Sequence, residues 1–147
     1  TTPYLIISDE LQRELTMAVK RGVDVRIITP GIPDKKTVFE VTRSNYGRLV
    51  NAGVRIYEYT PGFIHAKECI CDDKLAATGT INLDYRSLYL HFENGVLLYG
   101  CKAIQDMKAD YMDTLVKSTE VTEDYKKMPP ARVAIRRSIL RLFAPLL

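Results

Sequence analysis

The side chains best suited to chemistry fall in one short stretch. His65, Lys67 and Asp72 are followed, after six residues, by Gly79, Thr80 and Asn82, in the pattern H-x-K-x4-D-x6-G-[S/T]-x-N. A phosphodiester is an anion and resists anionic nucleophiles, whereas a neutral imidazole can attack it without first losing a proton. Residues i and i+2 of a strand share a face, so a strand carrying His65 and Lys67 would turn both into one cleft. Lys67 brings a compact positive charge to phosphate oxygens, where charge builds in the transition state. The Asn82 amide can donate to the same oxygens. Gly79 allows a turn and a close backbone approach, and the Thr80 hydroxyl can fix that turn. This chemistry calls for no metal and no cofactor. Taken singly, each feature has a plainer reading: a structural His, a solvated Lys, an ordinary Gly-Thr turn. Their joint spacing is what points to phosphodiester chemistry.

The elements that must position these residues can be read from periodicity. Tyr4–Ile7 predicts a strand; Ser8 and Asp9 cap a helix running to about Arg21, with Leu11, Leu15 and Ala18 at helical spacing. Val23–Ile28 is a β-branched strand, and a second helix runs from about Lys36 to Asn51, with Phe39, Tyr46, Leu49 and Val50 as apolar anchors, ended by Gly53. Val54–Tyr59 is the next strand, Pro61-Gly62 a loop, and the His65/Lys67 segment a strand closed by a tight Asp72-Asp73 turn. Strands at Leu75–Thr78 and Gly95–Tyr99 and a helix at about Cys101–Lys117 complete the order β-α-β-α-β-β-β-β-α. That order predicts an α/β fold with helices on a mixed sheet, and no internal repeat is present.

Composition narrows the class. The chain has 147 residues, 46% hydrophobic and 27% charged, enough for one core and typical of a soluble globular domain. A net charge of +3 gives no ground for a nucleic-acid partner. The three cysteines, Cys69, Cys71 and Cys101, form no disulfide framework and fit a reducing compartment. Cys69-x-Cys71 invites a metal, but no second Cys/His pair accompanies it, and on a strand the two would share a face beside the site. There is no apolar run long enough to span a bilayer and no signal peptide. The chain opens without Met in an apolar stretch, which reads as a piece cut from a longer protein. After Pro129-Pro130 the composition changes, dividing the sequence into a domain over 1–128 and a basic amphipathic tail over 129–147. In that tail Ile135, Ile139, Leu142 and Phe143 lie opposite Arg137 and Arg141. It reads either as a helix on an anionic membrane surface or as a terminal helix packed on its own domain, Val133 and Leu140 interrupting the polar face.

The motif resembles the phospholipase D superfamily, and the run Ala77–Ser87 narrows the resemblance to bacterial cardiolipin synthases. Thr2-Pro3-Tyr4, Arg21–Ile28, Ala52–Tyr57 and the closing Ala144–Leu147 extend it over nearly the whole chain. The resemblance implies a phospholipase D-like α-β-α sandwich. It further implies two such domains in tandem, each giving one H-x-K motif to a shared cleft, with this chain as the C-terminal one. One His would hold a phosphatidyl group while the other protonates the leaving glycerol and activates the incoming hydroxyl. His65 is similar to one of that pair, without deciding which attacks. Lys67 and Asn82 are similar to phosphate ligands, and Asp72 to a carboxylate more structural than chemical. Glu93 matches a downstream carboxylate that accepts a hydrogen bond from the motif His; its plainer reading is a solvated strand end. Arg43, Tyr46 and Lys36 would lie near the cleft mouth and meet lipid headgroups, or form an ordinary solvated face. Two departures are Glu68, expected to face away from the cleft, and His91, a second imidazole near the site or a bystander.

Three functions follow as expectations. The first is phosphatidyl transfer, making cardiolipin and glycerol from two phosphatidylglycerols, with the missing N-terminal domain or a second copy as partner, at the bacterial cell membrane in the full-length protein; the fragment itself would be soluble. The second is a two-fold phosphodiesterase or nuclease, against which the low net charge argues. The third is an isolated lipid-binding half-domain without activity, since one His cannot be both nucleophile and leaving-group acid in one step.

Overall fold

The computed structural model describes residues 1–127 together with 132, 133 and 135. The rest of the tail expected over 129–147 lies outside the described residues. The elements in order are β1 (Leu5–Ile6), α1 (Asp9–Lys20), β2 (Arg26–Pro30), α2 (Lys36–Asn51), β3 (Arg55–Tyr59), β4 (Glu68–Cys71), β5 (Leu75–Gly79), β6 (Leu83–Asp84), a π-helical turn (Arg86–Leu90), β7 (Gly95–Tyr99), α3 (Lys102–Val116), β8 (Ser118–Glu120) and α4 (Thr122–Lys126). The α/β class stands. The strands divide into three sheets: a parallel pair β1–β6, a mixed sheet β2–β3–β8 and an antiparallel sheet β4–β5–β7.

Local chemistry accounts for the helices. The Ser8 side chain accepts from the Leu11 amide at 3.4 Å and caps α1, with Asp9 and Glu10 in its first turn. Gly53, at φ +99°, supplies the left-handed residue after α2. Leu5, Tyr46, Leu49, Val50, Val54 and Ile56 form the core where α2 packs on β1 and β3. Two segments depart from the sequence reading. His65 and Lys67 precede β4 instead of lying in it, because the strand begins only where Glu68 pairs with Thr78. β8 and α4 were not expected; β8 is short and polar, and its pairing with β3 is what makes it a strand.

α2 also carries the two residues expected to meet headgroups. Tyr46 is fully buried, its hydroxyl 2.6 Å from Thr29 Oγ1 and its ring edge-on to Tyr125 at 4.9 Å. Burial pushes that phenol well above its usual pKa. Arg43 forks onto the buried Glu58 carboxylate, Nε donating at 2.8 Å and Nη2 at 2.6 Å, and its guanidinium lies 4.1 Å from the Phe39 ring. Tyr46 has no exposed surface, and the Arg43 guanidinium is engaged by Glu58. Both hold α2 on the sheet, because a buried carboxylate needs a partner and a buried hydroxyl needs a bond. Urea unfolding is expected to show a loss of about 1 kcal/mol for Tyr46→Phe and about 3 kcal/mol for Arg43→Ala; unchanged stability in both would return these residues to the surface role.

Candidate active site

The β5–β7 pairing builds one wall of the site. Gly79 stands opposite Gly95, and the backbone of residues 94–95 comes so close that a Cβ on Gly79 would lie 2.2 Å from the Asn94 carbonyl oxygen. Only glycine fits this approach. Beyond it, the Thr80 amide donates to the Asn94 carbonyl at 2.8 Å, and the Asn94 amide donates to Thr80 Oγ1 at 2.9 Å. The Thr80 hydroxyl in turn donates to the Glu93 carboxylate. The hydroxyl thus fixes this corner, as its place in the motif suggested. Bonds from Thr80 and then Ser87 hold the Glu93 carboxyl below its usual pKa.

The segment before β4 supplies the other wall. The Gly79 amide donates to the Lys67 carbonyl at 3.3 Å, tying the two walls together. Lys67 Nζ donates to His65 Nδ1 at 3.1 Å and to the His65 carbonyl at 2.7 Å. An ammonium is a donor only, so Nδ1 accepts and the ring proton sits on Nε2. The His65 ring is exposed and tilted on Phe63, with centroids 5.7 Å apart. Burial lowers the Lys67 pKa, while Glu93 and Asp84 oppose that shift. The ammonium is therefore held between an imidazole and a carboxylate field, on a flexible stem, beside open space.

That space is a pocket of about 480 Å3 lined by His65, Lys67, Gly79, Thr80 and Asn82, with Ala66 and Thr78. Five motif residues thus converge although His65 and Lys67 are not on a strand. The Asn82 amide oxygen is buried and lacks a hydrogen-bond partner among the described residues. Such a group calls for a donor on a bound molecule, or for the amide to turn and present its nitrogen instead.

The remaining expected residues sit apart. Asp72 lies at the hairpin tip, at φ +49° beside Asp73 at φ +57°, in a turn closed by the Lys74 amide donating to the Cys71 carbonyl at 3.1 Å. The length of β4, about 13 Å of strand, separates it from the pocket. Its place is structural, and Lys108 anchors the same tip through Asp73 at 2.6 Å. The expected His65–Glu93 bond is replaced by the Thr80–Glu93 bond; Glu93 reaches the site through charge, acting on Lys67. His91 Nδ1 lies 3.9 Å from Glu93, outside the pocket lining. Glu68 turns to Thr1, accepting its hydroxyl at 3.0 Å. Cys69 and Cys71 are exposed thiols, and among the described residues no group of three or more His, Cys, Asp or Glu could hold a metal. Sequence reasoning missed Phe63 beside the imidazole and Asp84, which is buried, receives the Ser87 amide at 2.7 Å and adds to the field at Lys67. The acid two residues after Asn82 was the available signal for the latter.

Two measurements follow from this geometry. Gly79→Ala is expected to cost about 2 kcal/mol by urea unfolding, since strand backbone must move to admit the methyl. Thr80→Val removes the donor to Glu93, so the Glu93 carboxyl pKa, followed by NMR, is expected to rise toward its ordinary value. A carboxyl whose folded pKa is depressed adds stability above its unfolded pKa and loses it as pH falls through the folded one. The variant is therefore expected to be less stable than the parent at neutral pH, with the gap closing in acid.

Comparison with known proteins agrees with the geometry. Residues 1–115 match the family model described as "Cardiolipin synthase, PLD-like domain". The chain is 48% identical over 146 residues to an uncharacterized protein of Streptococcus mutans, covering 99% of this chain and 32% of that one. It is 42% identical to cardiolipin synthase 2 of Bacillus cereus, covering 99% and 28%, respectively. It therefore spans about three-tenths of the length of these curated relatives. Among solved structures it is similar to phosphatidylserine synthase of Haemophilus influenzae, with TM-score 0.77 at 19% identity, covering 99% of this chain and 40% of that chain. It is also similar to Nuc of Salmonella typhimurium, a phospholipase D family member, with TM-score 0.69 at 20% identity, covering 80% and 76%. With every motif residue but Asp72 on one pocket and the family model matching most of its length, the chain belongs to the phospholipase D-like domain family of cardiolipin synthases.

Proposed function

We propose that this chain is one half of a two-motif phosphatidyltransferase site that makes cardiolipin and glycerol from two phosphatidylglycerols. The convergence of His65, Lys67, Thr80 and Asn82 on one pocket carries the reading. An imidazole lone pair attacks phosphorus, and the bond from phosphorus to the glycerol oxygen breaks. A second imidazole protonates the departing oxygen, releasing glycerol and leaving a phosphatidyl-histidine. The now neutral second imidazole removes the proton from a hydroxyl of another phosphatidylglycerol, whose oxygen attacks phosphorus and frees the first ring. Lys67, leaving His65 Nδ1 for the phosphate, and the Asn82 amide stabilise the charge on the non-bridging oxygens.

One imidazole cannot serve both roles, so the site needs a second motif, from a preceding phospholipase D-like domain of the longer protein or from a second copy. The relatives' greater length supports the first source. Leu90 and Phe92, 64% and 109% accessible and close to Glu93 in sequence, support a covering partner. Its substrates being anionic phospholipids, the intact protein would act at the bacterial cell membrane; no described helix is long and apolar enough to cross one.

The test is turnover of the longer protein on phosphatidylglycerol vesicles, with lipid products and glycerol resolved. His65→Ala is expected to abolish cardiolipin, and Lys67→Met to slow it at least about 100-fold. Wild-type turnover by His65→Ala would sink the assignment. Cardiolipin from the 147-residue chain alone would name a second copy as the partner, and release of phosphatidic acid would favour hydrolysis over transfer.

A further inference from the structure

The sheet β2–β3–β8 ends in a single row of residues. Pro30 pairs with Tyr59, and Tyr59 with Ser118, so three stretches of backbone leave the sheet side by side, about 5 Å apart. Two bonds carry the contact past these last rungs. The Gly31 amide donates to the Tyr59 carbonyl at 2.7 Å, and the Thr60 hydroxyl donates to the Lys117 carbonyl at 3.3 Å. Each stretch then presents an exposed apolar side chain: Ile32, Phe63 and Val116. Exposed lysines accompany them, Lys35 and Lys36 after Ile32 and Lys117 after Val116. The ion pairs of the described residues involve none of these three lysines. The one carboxylate over residues 31–36, 60–66 and 116–117 is Asp34, which accepts from the Tyr4 hydroxyl and from the Lys35 amide. Toward the other end of the same sheet, Arg26 is paired with Asp24 at 2.5 Å and Arg55 with Glu120 at 2.8 Å. A single apolar tip in water is ordinary. Three on adjoining loops, with lysines that no acid offsets, have the composition of a surface that meets an anionic bilayer.

We propose that this rim is the surface by which the chain docks on an anionic phospholipid bilayer. Ile32, Phe63 and Val116 enter the boundary between headgroups and acyl chains, and Lys35, Lys36 and Lys117 bind the lipid phosphates. The inference deepens the phosphatidyltransferase reading and rests on it for the ligand of the pocket. The loop that carries Phe63 also carries His65 and Lys67 to that pocket, and the Phe63 and His65 rings lie 5.7 Å apart, centroid to centroid. A phenyl ring seated at the acyl boundary would therefore hold the imidazole in the headgroup layer, at the depth of a phosphodiester. A lipid could then present its phosphate to His65 while its acyl chains stay in the bilayer, which avoids exposing each methylene to water. Pro33 and Pro61 fix backbone in the two longer loops, so less freedom is lost when they dock.

The chain contains no Trp, so one introduced indole reports only its own position. Ile32→Trp and Val116→Trp probe the rim, and Val23→Trp, at an exposed position beyond the other end of the sheet, is the reference. Each variant is mixed with phosphatidylcholine vesicles brominated on the acyl chains, with and without phosphatidylglycerol. On the phosphatidylglycerol vesicles both rim indoles are expected to shift to the blue and lose at least about half their emission, with Val23→Trp unchanged. Replacing Lys35, Lys36 and Lys117 together by Gln is expected to weaken that binding at least about tenfold. Equal quenching at all three positions, or none at the rim, would overturn the proposal. So would a rim indole that is blue-shifted before lipid is added and indifferent to it, since protein would then cover the rim. His65→Ala is expected to dock as the parent does. The readout involves no turnover, so its failure is distinct from failure of the catalytic reading.

Discussion

The close backbone approach at Gly79 is the constraint on which the site depends. A side chain there would collide with the Asn94 carbonyl, so β5 and β7 can lock together only with hydrogen at this position. That contact brings Thr80 within reach of Glu93 and Asn94, and the Gly79 amide in turn holds the Lys67 carbonyl. Lys67 and His65 are then placed across the pocket from the Thr80 corner by backbone bonds, before any ligand arrives. The motif's glycine and threonine are spent on geometry, and its histidine, lysine and asparagine face the space where chemistry would occur.

Electrostatics tune that arrangement. Lys67 loses solvation as it enters the pocket wall, and Glu93 and Asp84 offset the loss without forming a direct ion pair with it. A tightly paired lysine would be costly to redirect to a phosphate. One bonded to an imidazole nitrogen and a carbonyl can be moved by an incoming phosphate anion, which offers the stronger charge-assisted bonds. In the proposed reaction, releasing Nδ1 of His65 would also leave that nitrogen open to phosphorus or to a proton.

The sequence was most legible where local rules and tertiary packing agree. α2 runs from Lys36 to Asn51 as its apolar spacing and Gly53 foretold, and the β4–β5 turn falls at Asp72-Asp73 because both tolerate left-handed backbone. The headgroup role of Tyr46 and Arg43 was an implication of the resemblance, whereas the helical spacing already made Tyr46 an apolar anchor, and the side chains reach Thr29 and Glu58 in the interior. His65 and Lys67 line one pocket from a segment outside any strand, since pairing to Thr78 begins only at Glu68. The single mixed sheet was legible as a class and not as a topology. β8 exists only through its contact with β3, and no pattern in Ser118-Thr119-Glu120 announces that contact.

On the proposed reading, a pocket with one imidazole, one ammonium and one amide binds a phosphodiester, and its partner supplies the second proton-transfer group. The most direct measurement is therefore of binding: titration of the chain with glycerophosphoglycerol, a soluble phosphodiester, followed by NMR at the His65 ring, the Thr80 amide and the Asn82 side-chain amide. The account predicts saturable shifts at all three, lost together in Asn82→Ala while the fold is retained. Shifts confined to other surface lysines and arginines, or none that saturate, would contradict it.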